Sequence, residues 1–105
     1  MTDRYDYRAI DAALHSRIRL AAMALLASVE SADFRFLKEQ TGATDGNLGA
    51  HLKTLRDHGY VTERKRFRNG KPNTSYRITA AGRDALTAYL DHLEGLISTR
   101  AEDTG

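Results

Sequence analysis

A mainly helical domain with one small β-hairpin is what this sequence predicts, and three observations carry the prediction. Apolar residues recur at helical spacing through most of the chain, in stretches bounded by cap and stop residues. One extended stretch, Tyr60 to Phe67, and its return, Thr74 to Ile78, flank an Asn-Gly pair, a strong short-range hairpin signal. The positive charge is gathered around that hairpin and the helix before it. Between His51 and Ile78 there are eight basic residues and two acids, so this segment carries +6 in a chain whose net charge is only +2. An even scatter would mean solubility alone; a localised block beside an exposed helix face is the footprint of a polyanion partner.

With 105 residues and 41% hydrophobic content, the chain is expected to form one domain with a modest core. It has no cysteine, which excludes disulfides and thiolate metal sites. The longest wholly apolar run, Leu20 to Ala27, is eight residues, too short to span a membrane. Met1 to Asp6 is polar and mixed in charge, without the basic-then-apolar order of a signal peptide, so a cytoplasmic protein is expected.

From the N-terminus, Asp6 to Leu14 reads as a helix with Ile10, Ala13 and Leu14 on one side. His15-Ser16 is a break, because Ser16 can cap a second helix from Arg17 to about Ser28. That helix places Ile18, Ala22, Leu25, Leu26 and Val29 at helical spacing, and its four further or shared alanines allow close packing. Glu30 to Asp33 is a polar connection, with a very short strand expected at Asp33-Phe34. Arg35 to Gln40 makes a short helix with Phe34 and Leu37 facing inward, and Thr41-Gly42-Ala43 is the turn after it.

The next stretch, TDGNLGAHLKTLRDHGYV, organises the chain. Thr44 is an N-cap, Asp45 suits the positive end of the helix dipole, and Gly59 is a left-handed stop. Leu48, Leu52 and Leu55 form one apolar stripe, expected to pack on Ile18, Leu25, Phe34, Leu37, Val61 and Ile78. The other side carries Gly46, Asn47, Gly49, Ala50, Lys53 and Thr54, with His51 on the flank: small, polar and weakly basic. In isolation this is a solvated face beside a core stripe. It is also a face that could lie close to a surface and reach base edges.

A short helix, a three-residue turn with glycine and a longer amphipathic helix make a helix-turn-helix, about residues 34–58. The hairpin follows at about 60–78. Pro72 lacks a donor, so a loop longer than two residues is expected at its tip. By itself such a hairpin is a charged sheet edge protected against aggregation. Directly after a helix-turn-helix, a basic hairpin reads as the wing of a winged helix.

The run FRFLKEQTGATDGNLGAHLKTLRDHGYVTERKRFRNGKPNTSYRITAAGRDAL resembles winged-helix transcriptional regulators of the MarR/ArsR-like group, especially their small single-domain members. The resemblance covers roughly Ser16 to Leu96. It implies a homodimer on double-stranded operator DNA, with a recognition helix in the major groove and a wing over the backbone or minor groove. It places Thr44, Asn47, Ala50, His51, Lys53 and Thr54 nearest the DNA. Arg64, Arg66, Arg68 and Lys71, on the wing and its root, are expected to meet phosphates or the minor groove. Gly46 and Gly49 stand where larger relatives carry serine or threonine, which shifts the expected readout toward backbone contacts and DNA shape. Metal-sensing relatives use cysteine pairs absent here, and the four histidines have no ligand spacing, so no metal and no cofactor are expected.

The C-terminal helix, about residues 79–99, starts at a Thr79 cap and repeats Leu86, Leu90, Leu93 and Ile97, with Ala85, Tyr89 and Leu96 as a second edge. A small winged-helix core can cover only one side of a helix that projects past it. Ile10 and Leu14 lie beyond the expected core in the same way. Ile10, Leu14, Leu86, Tyr89, Leu90, Leu93 and Ile97 are therefore expected at a two-fold dimer interface; the competing arrangement folds the helix back and leaves a monomer. A winged helix used only for protein–protein contact is the alternative function. No Gly-rich phosphate loop, nucleophile elbow or HExxH is present, so an enzyme is not expected. No residue cluster points to a small-molecule effector.

Overall fold

The computed structural model describes residues 11–104, with side chains from 11 to 97. The elements are α1 (Arg17–Ala27), β1 (Ala32–Asp33), α2 (Phe34–Thr41), α3 (Asp45–Asp57), β2 (Val61–Arg68), β3 (Lys71–Ile78) and α4 (Ala80–Thr104). Each boundary has a local cause. Ser16, Asp33 and Thr44 are extended residues whose side chains accept the N–H of Arg19, Phe36 and Asn47, so all three preceding caps are hydroxyl or carboxylate caps. Gly42 ends α2 and Gly59 follows α3, both at positive φ (72° and 76°).

Most of the predicted elements are present; besides α4, which runs to Thr104 rather than to about residue 99, there are four differences. Of the first predicted helix, residues 6–10 and with them Ile10 lie outside the described residues. From Asp11 the chain makes a turn: the N–H groups of Leu14 and His15 both donate to the Asp11 carbonyl at 3.0 Å, and the Asp11 carboxylate accepts from Ala13 N–H at 2.8 Å. In α1 the buried positions are Ala22, Met23 and Leu26, while Val29, expected inside, is 38% exposed because the helix has already ended at Ala27. The third difference is one residue of register in β1, which ends at Asp33. The fourth is the hairpin tip.

That tip is a two-residue turn after all. Asn69 (φ 55°) and Gly70 (φ 76°) are both left-handed, the signature of the tight turn whose twist matches a hairpin. Arg68 pairs with Lys71 and Phe67 with Pro72. Pairs alternate along an antiparallel ladder, and the pair next to the closing one does not exchange hydrogen bonds. The missing donor of Pro72 therefore points away from β2, and β1 pairs only as far as Ser75. The proline loses nothing there.

The sheet is antiparallel with order β1-β3-β2. One face, carrying Val61 and Tyr76, closes the core with α1, α2 and α3. Leu48, Leu52 and Leu55 are essentially fully buried with Leu14, Met23, Leu26 and Leu37, and Ile18, Leu25, Phe34 and Ile78 pack partly against them. The stripe expected of α3 is thus the centre of the core. No helix among the described residues is long and apolar enough to cross a membrane.

Candidate nucleic-acid interface

α3 turns its leucines inward and leaves Thr44, Asp45, Gly46, Asn47, Ala50 and Lys53 exposed, with His51 and Thr54 half-buried at the margins. The exposed side chains are not equally free. Thr44 Oγ1 accepts the Asn47 N–H at 3.2 Å. Thr54 Oγ1 donates back to the Ala50 carbonyl at 3.2 Å, and Lys53 pairs with Asp57 at 3.0 Å. Asn47 makes no side-chain hydrogen bond among the described residues and stands at the open end of the face. The glycines are informative. A Cβ at Gly46 or Gly49 would meet nothing within 4 Å. Packing gives no reason for either, although a helical glycine costs about 1 kcal/mol relative to alanine.

His51 belongs to a second arrangement that sequence reading missed. Its Nδ1 lies 2.9 Å from Nη1 of Arg19, which therefore donates to a neutral imidazole. The same guanidinium donates through Nε to the Ala13 carbonyl at 2.6 Å and through Nη2 to that of Ala12 at 3.4 Å. Burial first, and the Arg19 charge second, lower the His51 pKa. The turn at 11–15 is held elsewhere too: Tyr60 OH donates to the Asp11 carboxylate, and His15 Nδ1 lies 3.1 Å from Tyr89 OH. The Asp11 bond, then burial, pushes the Tyr60 phenol up to about 12. Nothing in the spacing of Asp11, Arg19, His51 and Tyr60 announces this; only the tertiary fold joins residues 49 positions apart.

On the wing, strand alternation and register sort the side chains into two faces. Val61, Glu63, Lys65 and Phe67 share the core side with Pro72, Thr74, Tyr76 and Ile78. Arg64, Arg66 and Arg68 share the outer side with Lys71, Asn73, Ser75 and Arg77. The acids divide accordingly. Glu63, whose side chain is 15% exposed, takes the Arg56 guanidinium from α3, with Lys65 at 4.0 Å. Burial, and after it the Glu63 charge, pushes the Tyr76 phenol behind it up to about 12. On the outer face Arg77 reaches Glu30 at 3.6 Å. Arg64, Arg66, Arg68 and Lys71 are exposed and make no ion pair with any described residue. The four wing cations expected from the sequence are therefore one cluster, on one face and without acid partners among the described residues.

Three of the residues expected at a subunit interface are buried within the protomer. Leu14, Leu86 and Tyr89 are 0%, 7% and 6% exposed within the protomer, part of its own core, and have almost no surface left to offer. The first turns of α4 pack across α1, which the repeat alone cannot distinguish from an outward stripe. Leu93 is partly buried against the same core. Leu90 and Ile97 are 50% and 69% exposed and form the open edge of the helix. Phe67, 74% exposed near the wing tip, was not anticipated as a site residue. The Asn-Gly turn was the available signal, because it determines which residues flank the tip.

Comparison with known proteins agrees with this fold. Residues 18–97 match the winged helix DNA-binding domain family. An uncharacterized protein of Methanocaldococcus jannaschii is 40% identical over 76 residues, which is 72% of this chain and 83% of that protein. Among solved structures, a transcriptional regulator homologue from Pyrococcus horikoshii OT3 superposes with a TM-score of 0.84 at 24% identity, covering 93% of this chain and 97% of that one. A MarR-family transcriptional regulator from Enterococcus faecalis V583 superposes at 0.71 with 20% identity, over 99% and 93% of the two chains. PadR of Bacillus subtilis, solved in complex with operator DNA, superposes at 0.58 with 24% identity, over 70% of this chain and 47% of that one.

Proposed function

The chain belongs to the winged helix DNA-binding domain family, and on that premise we propose that it is a sequence-specific transcriptional regulator, a homodimeric repressor on a near-palindromic operator. The observation that carries the reading is the distribution of charge. The acids near the wing root are matched by Arg56, Lys65 and Arg77, whereas Arg64, Arg66, Arg68 and Lys71 are left on one outward face. Like charges so close together, without acid partners among the described residues, repel one another, and a polyanion relieves that repulsion.

α3 supplies the reading element. Asn47 is the exposed amide suited to a bidentate contact with adenine, and Lys53 and Thr54 lie further along the same helix. Gly46 and Gly49 let the backbone approach phosphate or sugar closely. Thr44, Ala50 and His51 complete the surface, His51 through the ring edge that Arg19 leaves free. The exposed Leu90 and Ile97 support pairing of α4 with that of a second copy. Two recognition helices would then address half-sites about one helical turn apart, roughly 34–36 Å. Selection of bound sequences from a random duplex library tests this. A recovered inverted repeat with that spacing is the expected result; unselective recovery would leave a winged helix without specific DNA binding, the protein-contact reading.

A further inference from the structure

The two faces of the wing tip differ in chemistry. Phe67 is 74% exposed, the most open of the large apolar side chains among the described residues, and Pro72 stands directly across from it on β3. Each is separated by one residue from the tight Asn69-Gly70 turn, so the apolar pair sits near the end of the two-stranded ribbon. On the opposite face of that end are Arg66, Arg68 and Lys71, none paired with a described acid.

We propose that Phe67, backed by Pro72, is a wedge that enters the DNA minor groove, partly unstacks a base step and bends the duplex. The proposal rests on the DNA-binding reading above and adds a specific action to it. Several features favour this occupant. A large ring left in water away from any core gains free energy only when a partner covers it. The surrounding charge is cationic, which selects a polyanion over an apolar or basic partner. The minor groove is about 6 Å wide, so a whole two-stranded ribbon does not enter it, whereas single side chains projecting from the end of the hairpin can. Phe and Pro are among the side chains able to wedge between base steps, and pyrimidine–purine steps open most easily. The arginine face then meets the phosphate wall of the groove while the apolar face meets sugars and bases. Selectivity would arise at a step that no hydrogen bond reads.

The experiment uses the full chain and a duplex recovered by selection, labelled at both ends for distance measurement by energy transfer. Wild type is expected to shorten the end-to-end distance on binding. Phe67→Ala is expected to leave the thermal transition unchanged, since the ring is outside the core, to abolish the shortening, and to weaken affinity by about tenfold, within the range of losing one aromatic–base stack. Phe67→Leu, still a wedge, should restore most of the bend. Replacing a TA step under the wing by AA should weaken wild type more than Phe67→Ala. If wild type binds the selected duplex without bending it, or Phe67→Ala binds and bends as wild type does, the wedge is wrong and the DNA-binding reading stands. If wild type selects and binds no duplex, both fall together.

Discussion

Gly82 lies directly against the Tyr60 carbonyl, so close that a Cβ at this position would overlap the carbonyl oxygen and crowd the Tyr60 backbone. The contact is where α4 crosses the end of the α3–β2 connection, and it is bonded on both sides. Thr79 N–H donates to the Tyr60 carbonyl at 3.0 Å, Thr79 Oγ1 donates to the Gly59 carbonyl at 2.6 Å, and Gly82 N–H returns to Thr79 Oγ1 at 2.9 Å. Because the obstacle is backbone rather than a flexible side chain, it cannot move aside cheaply. Gly82→Ala should therefore destabilise the fold by roughly 1–3 kcal/mol, the usual range for overpacking, despite alanine's better helix propensity. Urea unfolding of the two proteins reads this directly; an unchanged midpoint would mean that α4 does not cross here.

The opposite outcome is expected at Gly49, where a Cβ meets nothing. Gly49→Ala should stabilise the free protein by about 0.5–1 kcal/mol through helix propensity. It should nevertheless weaken binding to a selected duplex, because the new methyl stands between the α3 backbone and the DNA. A variant that is both more stable and equally tight would show that the bare backbone of α3 has no role in recognition.

Arg66→Ala and Arg68→Ala should each weaken binding to specific and random duplexes alike. Each should also lower the salt dependence by about one unit per lost phosphate contact. Asn47→Ala should instead alter sequence preference with little change in salt slope. Titrations at several salt concentrations on both kinds of duplex separate the two behaviours. Wing variants with the slope of wild type would remove the wing from the interface.

For the dimer, the informative positions are Leu90 and Ile97, since substitution at Leu86 or Tyr89 would damage the protomer core. A Leu90→Asp, Ile97→Asp double variant is expected to sediment as a folded monomer and to bind an inverted repeat no better than a single half-site. Wild type should sediment as a dimer at micromolar concentration. A monomeric wild type, or a dimeric variant, would rule out this edge of α4 as the interface.

The burial of His51 beside Arg19 is expected to make stability depend on pH. His51 accepts through Nδ1 only when neutral, and its folded pKa is depressed by burial and by Arg19. In the window below the ordinary imidazole value the unfolded chain binds the proton that the native state resists. The stabilisation is complete above about pH 6.5 and is lost as pH falls through the lower folded value. His51→Gln should show a shallower loss of stability than wild type between about pH 7 and pH 5, measured by urea midpoints. Parallel curves would mean that the contact does not distinguish the two protonation states.

Much of this protein is legible in its sequence. The Thr44 cap, the leucine stripe at 48, 52 and 55 and the Gly59 stop are local features, and local features are written in residue order. So are the Ser16 cap and the Asn69-Gly70 turn. The wing cations were legible as a group because they are close in sequence, although the hairpin register was needed to place Arg64, Arg66, Arg68 and Lys71 on one face.

What the amino-acid order determined by itself was the set of elements, their inward stripes and the concentration of charge, all of which follow from periodicity and caps within a few residues. Only the tertiary structure decided how a continuous apolar repeat in α4 divides between the core and an open edge, giving Leu86 and Tyr89 to the protomer and leaving Leu90 and Ile97 outside. It alone brought Arg19 to His51 and Tyr60 to Asp11, and set Gly82 against a backbone carbonyl. Periodicity records that a side chain avoids water. Which surface removes it from water depends on where distant elements cross, and that is set by packing the whole chain at once.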